Sequence, residues 1–251
     1  MRIISRLDIK NSNLIKGINL EGLRIVGEPN KYATKYYKDG IDEIIFMDSV
    51  ASLYGRNNLY EIISEASKNI FIPITVGGGI RSIDDAFKAF KFGADKVAVN
   101  TAAVENKNLI NSLSEKFGSQ SIVVSIEAKK VKDNSWEVFT NNGRQETGLS
   151  VIDWIADCEK RGAGEILLTS IDMEGTGKGF DYNLYSTVTR STNIPVIASG
   201  GFGKPSDLSK LNSCSKIDAI AIAYAFHYNK CNILDVRNEA LKSKIKIRQL
   251  D

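Results

Sequence analysis

The sequence repeats itself at an offset of about 120 residues, and this repeat restricts the possible folds more than any other feature. Residues 7–10 (LDIK) correspond to residues 126–129 (IEAK). Residues 72–79 (IPITVGGG) correspond in the same way to residues 194–201 (IPVIASGG). Such an offset is roughly half the length of a typical (β/α)₈ barrel. The repeat therefore predicts one barrel built from two similar half-barrels.

Short runs rich in Ile and Val recur along the chain, and a segment with helical periodicity follows each of them. This alternation is typical of parallel βαβ units. One such segment opens with the capping spacing of Ser82 and Asp85 and ends at Gly93. We therefore predict an α/β fold, a single (β/α)₈ TIM barrel domain over residues 1–251. Its strands are expected to begin near Ile3, Glu43, Ile72, Lys96, Ile122, Glu165, Val196 and Ala219.

The composition excludes several classes of function. Lys and Arg total 33 against 30 Asp and Glu, and a net charge of +3 is too small to indicate nucleic acid or an anionic membrane as a partner. An apolar run of about 18 residues is absent from the sequence, so we expect neither a membrane span nor a signal peptide. Cys158, Cys214 and Cys231 are isolated, which indicates neither disulfides nor a zinc site and fits the cytoplasm. No motif indicates a cofactor or a metal.

Glycines follow two of the predicted strands, at the end where such a barrel binds its ligands. Residues 77–79 follow the third strand and residues 200–201 follow the seventh, and a helix is predicted after each. Glycine lets the backbone approach a ligand closely, and the next helix offers free N–H groups, so each half is predicted to bind a phosphate. A tight turn alone is the alternative, and the duplication makes it less favoured. The predicted phosphate-binding residues are Gly79, Asn100 and Thr101 in one half and Gly201, Ala223 and Tyr224 in the other.

Two acids occupy matching places in the repeat. Asp8 ends the first predicted strand and Glu127 ends the fifth, so they are expected to face each other across the mouth of the barrel. Two acids in different environments can divide the roles of general acid and general base. The alternative is that each acid only pairs with a nearby lysine, Lys10 or Lys129. The single histidine, His227, has no triad or metal partner and is interpreted as structural.

Four charged residues stand at or near the starts of predicted strands. In a closed barrel they would meet at the bottom as two positive and two negative charges, which is usually a structural seal. Such a ring could also admit a small polar molecule. The four residues are Arg2, Glu43, Lys96 and Glu165.

Four stretches are specific enough to compare with known families, namely residues 75–80 (TVGGGI), 100–106 (NTAAVEN), 117–120 (FGSQ) and 160–172 (KRGAGEILLTSID). They resemble the cyclase subunit of imidazole glycerol phosphate synthase, an enzyme of histidine biosynthesis, and the likeness covers nearly the whole chain. The resemblance implies a lyase that takes ammonia from a glutaminase subunit docked at the barrel bottom. It would convert a ribulosyl formimino carboxamide ribonucleotide, a bisphosphate, to imidazole glycerol phosphate and aminoimidazole carboxamide ribonucleotide.

The resemblance also assigns roles to individual residues. It makes Asp8 and the acid at position 127 catalytic, and it makes Lys16 the lysine of a flexible loop that binds substrate. It adds Gly175 to the second phosphate site. The four strand-start charges correspond to the ammonia gate of the family.

The sequence departs from the family at four positions. Glu127 and Glu174 each replace an Asp, Tyr224 replaces a small Ser, and Arg6 stands where the family tends to have Cys. Such departures resemble a divergent paralogue that conducts ammonia for a sugar amidotransferase in surface-polysaccharide biosynthesis, which is the alternative function. A third hypothesis is the related isomerase of the same pathway, which also has two half-barrels but would need no glutaminase.

Overall fold

The computed structural model describes residues 1–49 and 59–250, and its parallel strands close into a barrel. In chain order the strands are β1 (Arg2–Lys10), β2 (Asn13–Ile18), β3 (Glu21–Gly27), β4 (Glu43–Asp48), β5 (Ile74–Gly77), β6 (Lys96–Val99), β7 (Ile122–Lys132), β8 (Ser135–Thr140), β9 (Gln145–Ser150), β10 (Glu165–Ser170), β11 (Val196–Ser199) and β12 (Ala219–Ile222). The barrel runs in the order β1, β4, β5, β6, β7, β10, β11, β12, and β12 pairs with β1 to close it. The predicted fold class is confirmed.

Helices connect the strands and cover the outside of the barrel. Their bounds are α1 (Pro29–Lys38), α2 (Leu59–Ala66), α3 (Ile83–Lys91), α4 (Thr101–Glu105), α5 (Asn108–Phe117), α6 (Val151–Lys160), α7 (Tyr182–Val188), α8 (Ser206–Cys214), α9 (Tyr224–His227) and α10 (Ile233–Lys242). The predicted cap of α3 is confirmed, because Ser82 Oγ accepts a hydrogen bond from the N–H of Asp85 at 3.1 Å. Among the residues described, no helix has the length and apolarity needed to cross a membrane.

The predicted strand starts agree with the observed ones to within two residues. The largest difference is at β5, which was expected near Ile72 and begins at Ile74. The predicted single domain spans residues 1–251 and so includes residues outside those described.

Each half of the barrel also carries an antiparallel hairpin on its first strand. β1 continues into β2 and β3, which we call the mouth hairpin, and β7 continues into β8 and β9, which we call the second hairpin. Asp8 lies opposite Ile15 where the mouth hairpin begins, and Glu127 lies opposite Phe139 at the matching place. Both acids therefore stand where a barrel strand turns into a hairpin above the mouth.

The lumen of the barrel contains an apolar layer that separates its two ends. Its side chains point inward from alternate positions of the strands and are buried, as the period of two in a strand requires. A second and larger apolar layer lies between the strands and the helices. The buried inner cluster consists of Ile4, Ile45, Met47, Ala98, Val123, Leu167, Ile197, Ala219 and Ala221.

Leu167→Ala tests whether the lumen is packed as a core. Leu167 is fully buried, and its truncation is expected to lower the free energy of unfolding by about 2 to 5 kcal/mol, because the closed lumen cannot collapse onto the space left behind. Urea denaturation measures the change. The control Leu234→Ala removes a side chain of α10 that is 59% exposed. An equal loss in both variants would contradict a tightly packed lumen.

Candidate active site

Asp8 is held by two cations at the mouth of the barrel. Its Oδ1 accepts a hydrogen bond from Nε of Arg6 at 2.8 Å, and its Oδ2 accepts one from Nζ of Lys16 at 2.8 Å. Lys16 also pairs with the carboxylate of Glu174. All four side chains are buried, and we call them the mouth network. Burial alone would raise the pKa of Asp8, but the charges of Arg6 and Lys16 outweigh it and hold that pKa well below its usual range.

Arg6 connects the mouth network to β10 and β11, which lie beyond β12 in the barrel. Its Nη1 donates hydrogen bonds to Oγ1 of Thr169 on β10 at 2.9 Å and to Oγ of Ser199 on β11 at 3.4 Å. Burial alone would lower the pKa of Arg6, but the charges of Asp8 and Glu174 raise it, so the guanidinium stays charged. Sequence analysis noted Arg6 as a departure from the family but missed Thr169 and Ser199. Their inward direction follows only from the register of β10 and β11.

His227 lies behind Arg6 and contacts its backbone. Nε2 of His227 lies 3.1 Å from the carbonyl oxygen of Arg6, and Nδ1 lies 2.8 Å from the hydroxyl of Tyr36. Because the carbonyl can only accept, Nε2 donates and Nδ1 accepts. Burial lowers the pKa of His227 to about 3, so the ring is neutral at physiological pH.

Lys16 reaches Asp8 because the mouth hairpin folds over the barrel. Nδ2 of Asn19 donates hydrogen bonds to the carbonyl oxygens of Ile171 at 2.9 Å and of Asp172 at 3.0 Å. Leu20 packs in a small apolar cluster with Ile171 and with Phe139 of the second hairpin. The mouth hairpin therefore covers the part of the mouth that contains Asp8.

Glu127 has a different environment from Asp8, although the two acids match in the repeat. Its Oε2 accepts a hydrogen bond from the backbone N–H of Gly143 at 2.8 Å. Burial raises the pKa of Glu127 to about 7, and the contact with Gly143 and the charge of Arg6 offset this effect only in part. The charge of Asp8 also raises the pKa of Glu127, as expected for two acids at one mouth. Near neutral pH, Asp8 is ionised and Glu127 is partly protonated.

The predicted phosphate site of the first half, which we call the first cup, is a cavity of about 340 Å³ beside Glu127. It is lined by the predicted residues Gly79, Asn100 and Thr101, and also by Arg81, which sequence analysis missed. The turn before it requires glycine, because Gly78 has a φ of +87° and a Cβ there would lie 2.3 Å from the carbonyl oxygen of Asp48. The structure thus brings the predicted residues of this cup together with one of the predicted acids.

The predicted phosphate site of the second half, which we call the second cup, is lined by the predicted residues Gly175, Gly201, Ala223 and Tyr224. It contains only about 10 Å³ of open space. Glu174 lines the same cup while pairing with Lys16. The mouth hairpin also packs closely against the second cup, since a Cβ on Gly175 would lie 2.1 Å from the carbonyl oxygen of Gly17. The two cups therefore match in sequence but differ in the space they offer.

The four predicted gate residues form a closed ring of ion pairs at the bottom of the barrel. Arg2 contacts Glu43 at 2.8 Å and also pairs with Glu165. Lys96 contacts Glu43 at 3.1 Å and Glu165 at 2.9 Å. Thr75 donates a hydrogen bond to Glu43 at 2.7 Å, a contact that sequence analysis missed. Both glutamates are buried, so the ring separates the lumen from the outside with no net charge.

Comparison with known proteins identifies the family of this barrel. The family described as Histidine biosynthesis protein matches residues 2–232. The chain is therefore a (β/α)₈ barrel of the histidine biosynthesis class.

Individual relatives define the family more narrowly. A protein of Legionella pneumophila named imidazole glycerol phosphate synthase subunit HisF is 62% identical over 204 residues, which are 81% of this chain and 96% of that protein. The protein of the same name from Lactococcus lactis subsp. lactis is 46% identical over 248 residues, covering 98% of this chain and 96% of that protein. The one from Dehalococcoides mccartyi is 45% identical over 243 residues, covering 97% and 95%. The chain belongs to the HisF family, which confirms the predicted resemblance.

Glu127→Gln is expected to change how stability depends on pH. In the folded protein Glu127 keeps its proton up to a pKa of about 7, while the unfolded chain releases it near 4.5. The folded state then binds more protons, so Glu127 makes the free energy of unfolding fall as pH rises through this window. Between these two pKa values, the free energy of unfolding of the variant should therefore rise relative to that of the wild type by up to about 3 kcal/mol.

Urea denaturation at a series of pH values measures this difference. Glu65→Gln is the control, because that side chain on α2 is exposed and its replacement should leave the two stability curves parallel. Parallel curves for Glu127→Gln as well would mean that Glu127 ionises normally.

Proposed function

We propose that this protein is the cyclase subunit of imidazole glycerol phosphate synthase and acts in histidine biosynthesis. It uses ammonia from a glutaminase subunit to convert a ribulosyl formimino carboxamide ribonucleotide to imidazole glycerol phosphate and aminoimidazole carboxamide ribonucleotide. The observation that carries the proposal is the pair of acids at one mouth, Asp8 ionised and Glu127 partly protonated, with the first cup beside them. The names of the relatives support the same function.

The reaction needs acid–base chemistry of the kind that these two acids offer. An ammonia nitrogen that enters a ring gives up protons, and the amine that leaves gains one. Asp8 and Glu127 stand in environments that separate their pKa values, which is the arrangement that lets two acids share such work. Lys16 brings a cation to the same point and would bind a negatively charged group of the substrate.

The two cups suit the two phosphates of the substrate. The first cup offers the backbone of Gly79, the polar side chains of Asn100 and Thr101 and the cation of Arg81. The second cup, with Gly175, Gly201, Ala223 and Tyr224, would receive the other phosphate after the mouth hairpin moves away from it. Movement of the mouth hairpin is therefore part of the proposal.

Ammonia would enter through the gate ring at the bottom of the barrel, and the glutaminase would dock on that face. Above the ring, the apolar layer of the lumen favours a neutral molecule such as ammonia over a charged ammonium ion. Opening the ring requires one of its four ion pairs to separate, and the half-exposed Arg2 is the side chain with most freedom to do so.

The relatives do not favour the alternative function as a conduit for a sugar amidotransferase. That partner remains a prediction from the sequence, motivated by Glu127, Glu174 and Tyr224. The gate ring supports the cyclase over the related isomerase, which would have no ammonia to admit. The cytoplasmic location likewise remains a prediction.

Turnover with ammonium salt and without a glutaminase tests the proposal. The pure protein should form aminoimidazole carboxamide ribonucleotide from the bisphosphate. Asp8→Asn should abolish this activity because it removes the negative charge beside the reacting nitrogen, and Glu127→Gln should lower it by about a hundredfold or more because it removes the group that transfers the proton. Product formation measured by chromatography gives the rates.

Glu65→Gln is the control and should keep the wild-type rate, since Glu65 lies on an exposed face of α2. A protein that gives no product but still stimulates a glutaminase would be a conduit and would contradict the proposal. Glu127→Asp separates the two cases further. A steep rise in rate from near zero would show that the natural protein is not adapted to this reaction.

A further inference from the structure

Asp8 and Glu127 differ in what their oxygens contact. Both oxygens of Asp8 accept hydrogen bonds from cations, Arg6 and Lys16, at 2.8 Å each. Glu127 contacts the neutral backbone N–H of Gly143. A carboxylate that accepts two charge-assisted hydrogen bonds in a buried site has little tendency to take up a proton.

The two cations on Asp8 are not equivalent. Lys16 lies on the mouth hairpin and shares its charge with Glu174, so its contact with Asp8 ends when the hairpin moves. Arg6 lies on the barrel strand β1, two residues from Asp8, and its position does not depend on a movement of the mouth hairpin. Arg6 is thus the permanent partner of Asp8.

Several further contacts fix Arg6 in position. Thr169 on β10 and Ser199 on β11 accept hydrogen bonds from its guanidinium. The ring of His227 donates to its backbone carbonyl. The guanidinium is buried and cannot lose its proton at physiological pH. Arg6 therefore supplies a fixed positive charge between Asp8 and the lumen.

We propose that Arg6 is a positioning residue that keeps Asp8 a permanent carboxylate and leaves Glu127 as the acid that carries protons at the mouth. Asp8 then orients Lys16 and stabilises positive charge on the reacting nitrogen, while Glu127 takes up the proton that the ammonia nitrogen releases and passes it to the amine that leaves. The use made of that proton rests on the proposed function, but the protonation of the two acids does not. The charged and titratable groups that face the two acids are Arg6 on β1, Lys16 on β2, Glu174 after β10 and the neutral His227 on α9.

Carboxyl titration by ¹³C NMR on the ligand-free protein tests the inference directly. In the wild type, Asp8 should remain ionised between about pH 4 and 9, and Glu127 should titrate near its pKa of about 7. Arg6→Met should raise the pKa of Asp8 by roughly 1 to 3 pH units, since a charge in hydrogen-bond contact is lost. Arg6→Lys should restore most of the wild-type behaviour. Arg6→Gln makes the same comparison should Arg6→Met not fold.

Thr169→Val is the matched control, because it removes a hydrogen-bond acceptor of Arg6 on β10 and keeps the charge. It should leave the titration of Asp8 close to that of the wild type. A shift in Thr169→Val as large as in Arg6→Met would mean that packing, not charge, sets the state of Asp8. An unchanged Asp8 in Arg6→Met, or a Glu127 that titrates in the ordinary range, would overturn the inference.

The ammonium-dependent reaction gives a second readout. For the wild type, kcat/KM should follow one enzyme ionisation near pH 7, that of Glu127, once the rates are corrected for the ionisation of ammonium and of the substrate phosphates. In Arg6→Met a second ionisation should appear on the acidic side, and Arg6→Lys should remove it. If no variant turns over, the proposed function fails, while the carboxyl titrations still decide the role of Arg6.

Discussion

The pairing of β12 with β1 closes the sheet, and both the gate ring and the contacts of Arg6 depend on that closure. Arg2 pairs with Ala219 and Ser5 pairs with Ile222, so the last strand lies in register beside the first. An open sheet would leave Arg2 far from Glu165, and the gate ring could not form. It would also separate Arg6 from Thr169 and Ser199, which lie on strands that come near β1 only through its pairing with β12. The gate ring at the bottom of the barrel and the contacts of Arg6 at its mouth thus both depend on the pairing of β12 with β1.

The duplication of the barrel places two acids symmetrically, and their surroundings then make them unlike. Asp8 and Glu127 stand at equivalent points where a strand turns into a hairpin. Around Asp8, β1 supplies Arg6 and the mouth hairpin supplies Lys16, whereas around Glu127 the second hairpin supplies a backbone N–H from Gly143. Because both sites are buried, this difference decides the charge of each acid at neutral pH. One repeated scaffold therefore provides two chemical functions.

Much of the fold could be predicted from the sequence, because the apolar runs of the barrel strands and the repeat between the halves are strong signals. The two hairpins could not, since β3 and β9 are largely exposed and have no apolar run. The residues of the first cup, the second cup and the gate ring were predicted as groups, and the structure brings each group together. The raised pKa of Glu127 and the small space in the second cup depend on burial and on Glu174, which no local pattern reveals.

The close packing of Gly17 against Gly175 makes the two sides of the mouth unequal, because the mouth hairpin covers the second cup and leaves the first one open. In the proposed reaction, one end of the bisphosphate would meet an open cavity, and the other end would meet a site with little space until the mouth hairpin lifted. The end beside Glu127 would therefore be seated first and the far end last. Release in the reverse order would make the rise of one short hairpin limit how quickly the fragment in the second cup can depart.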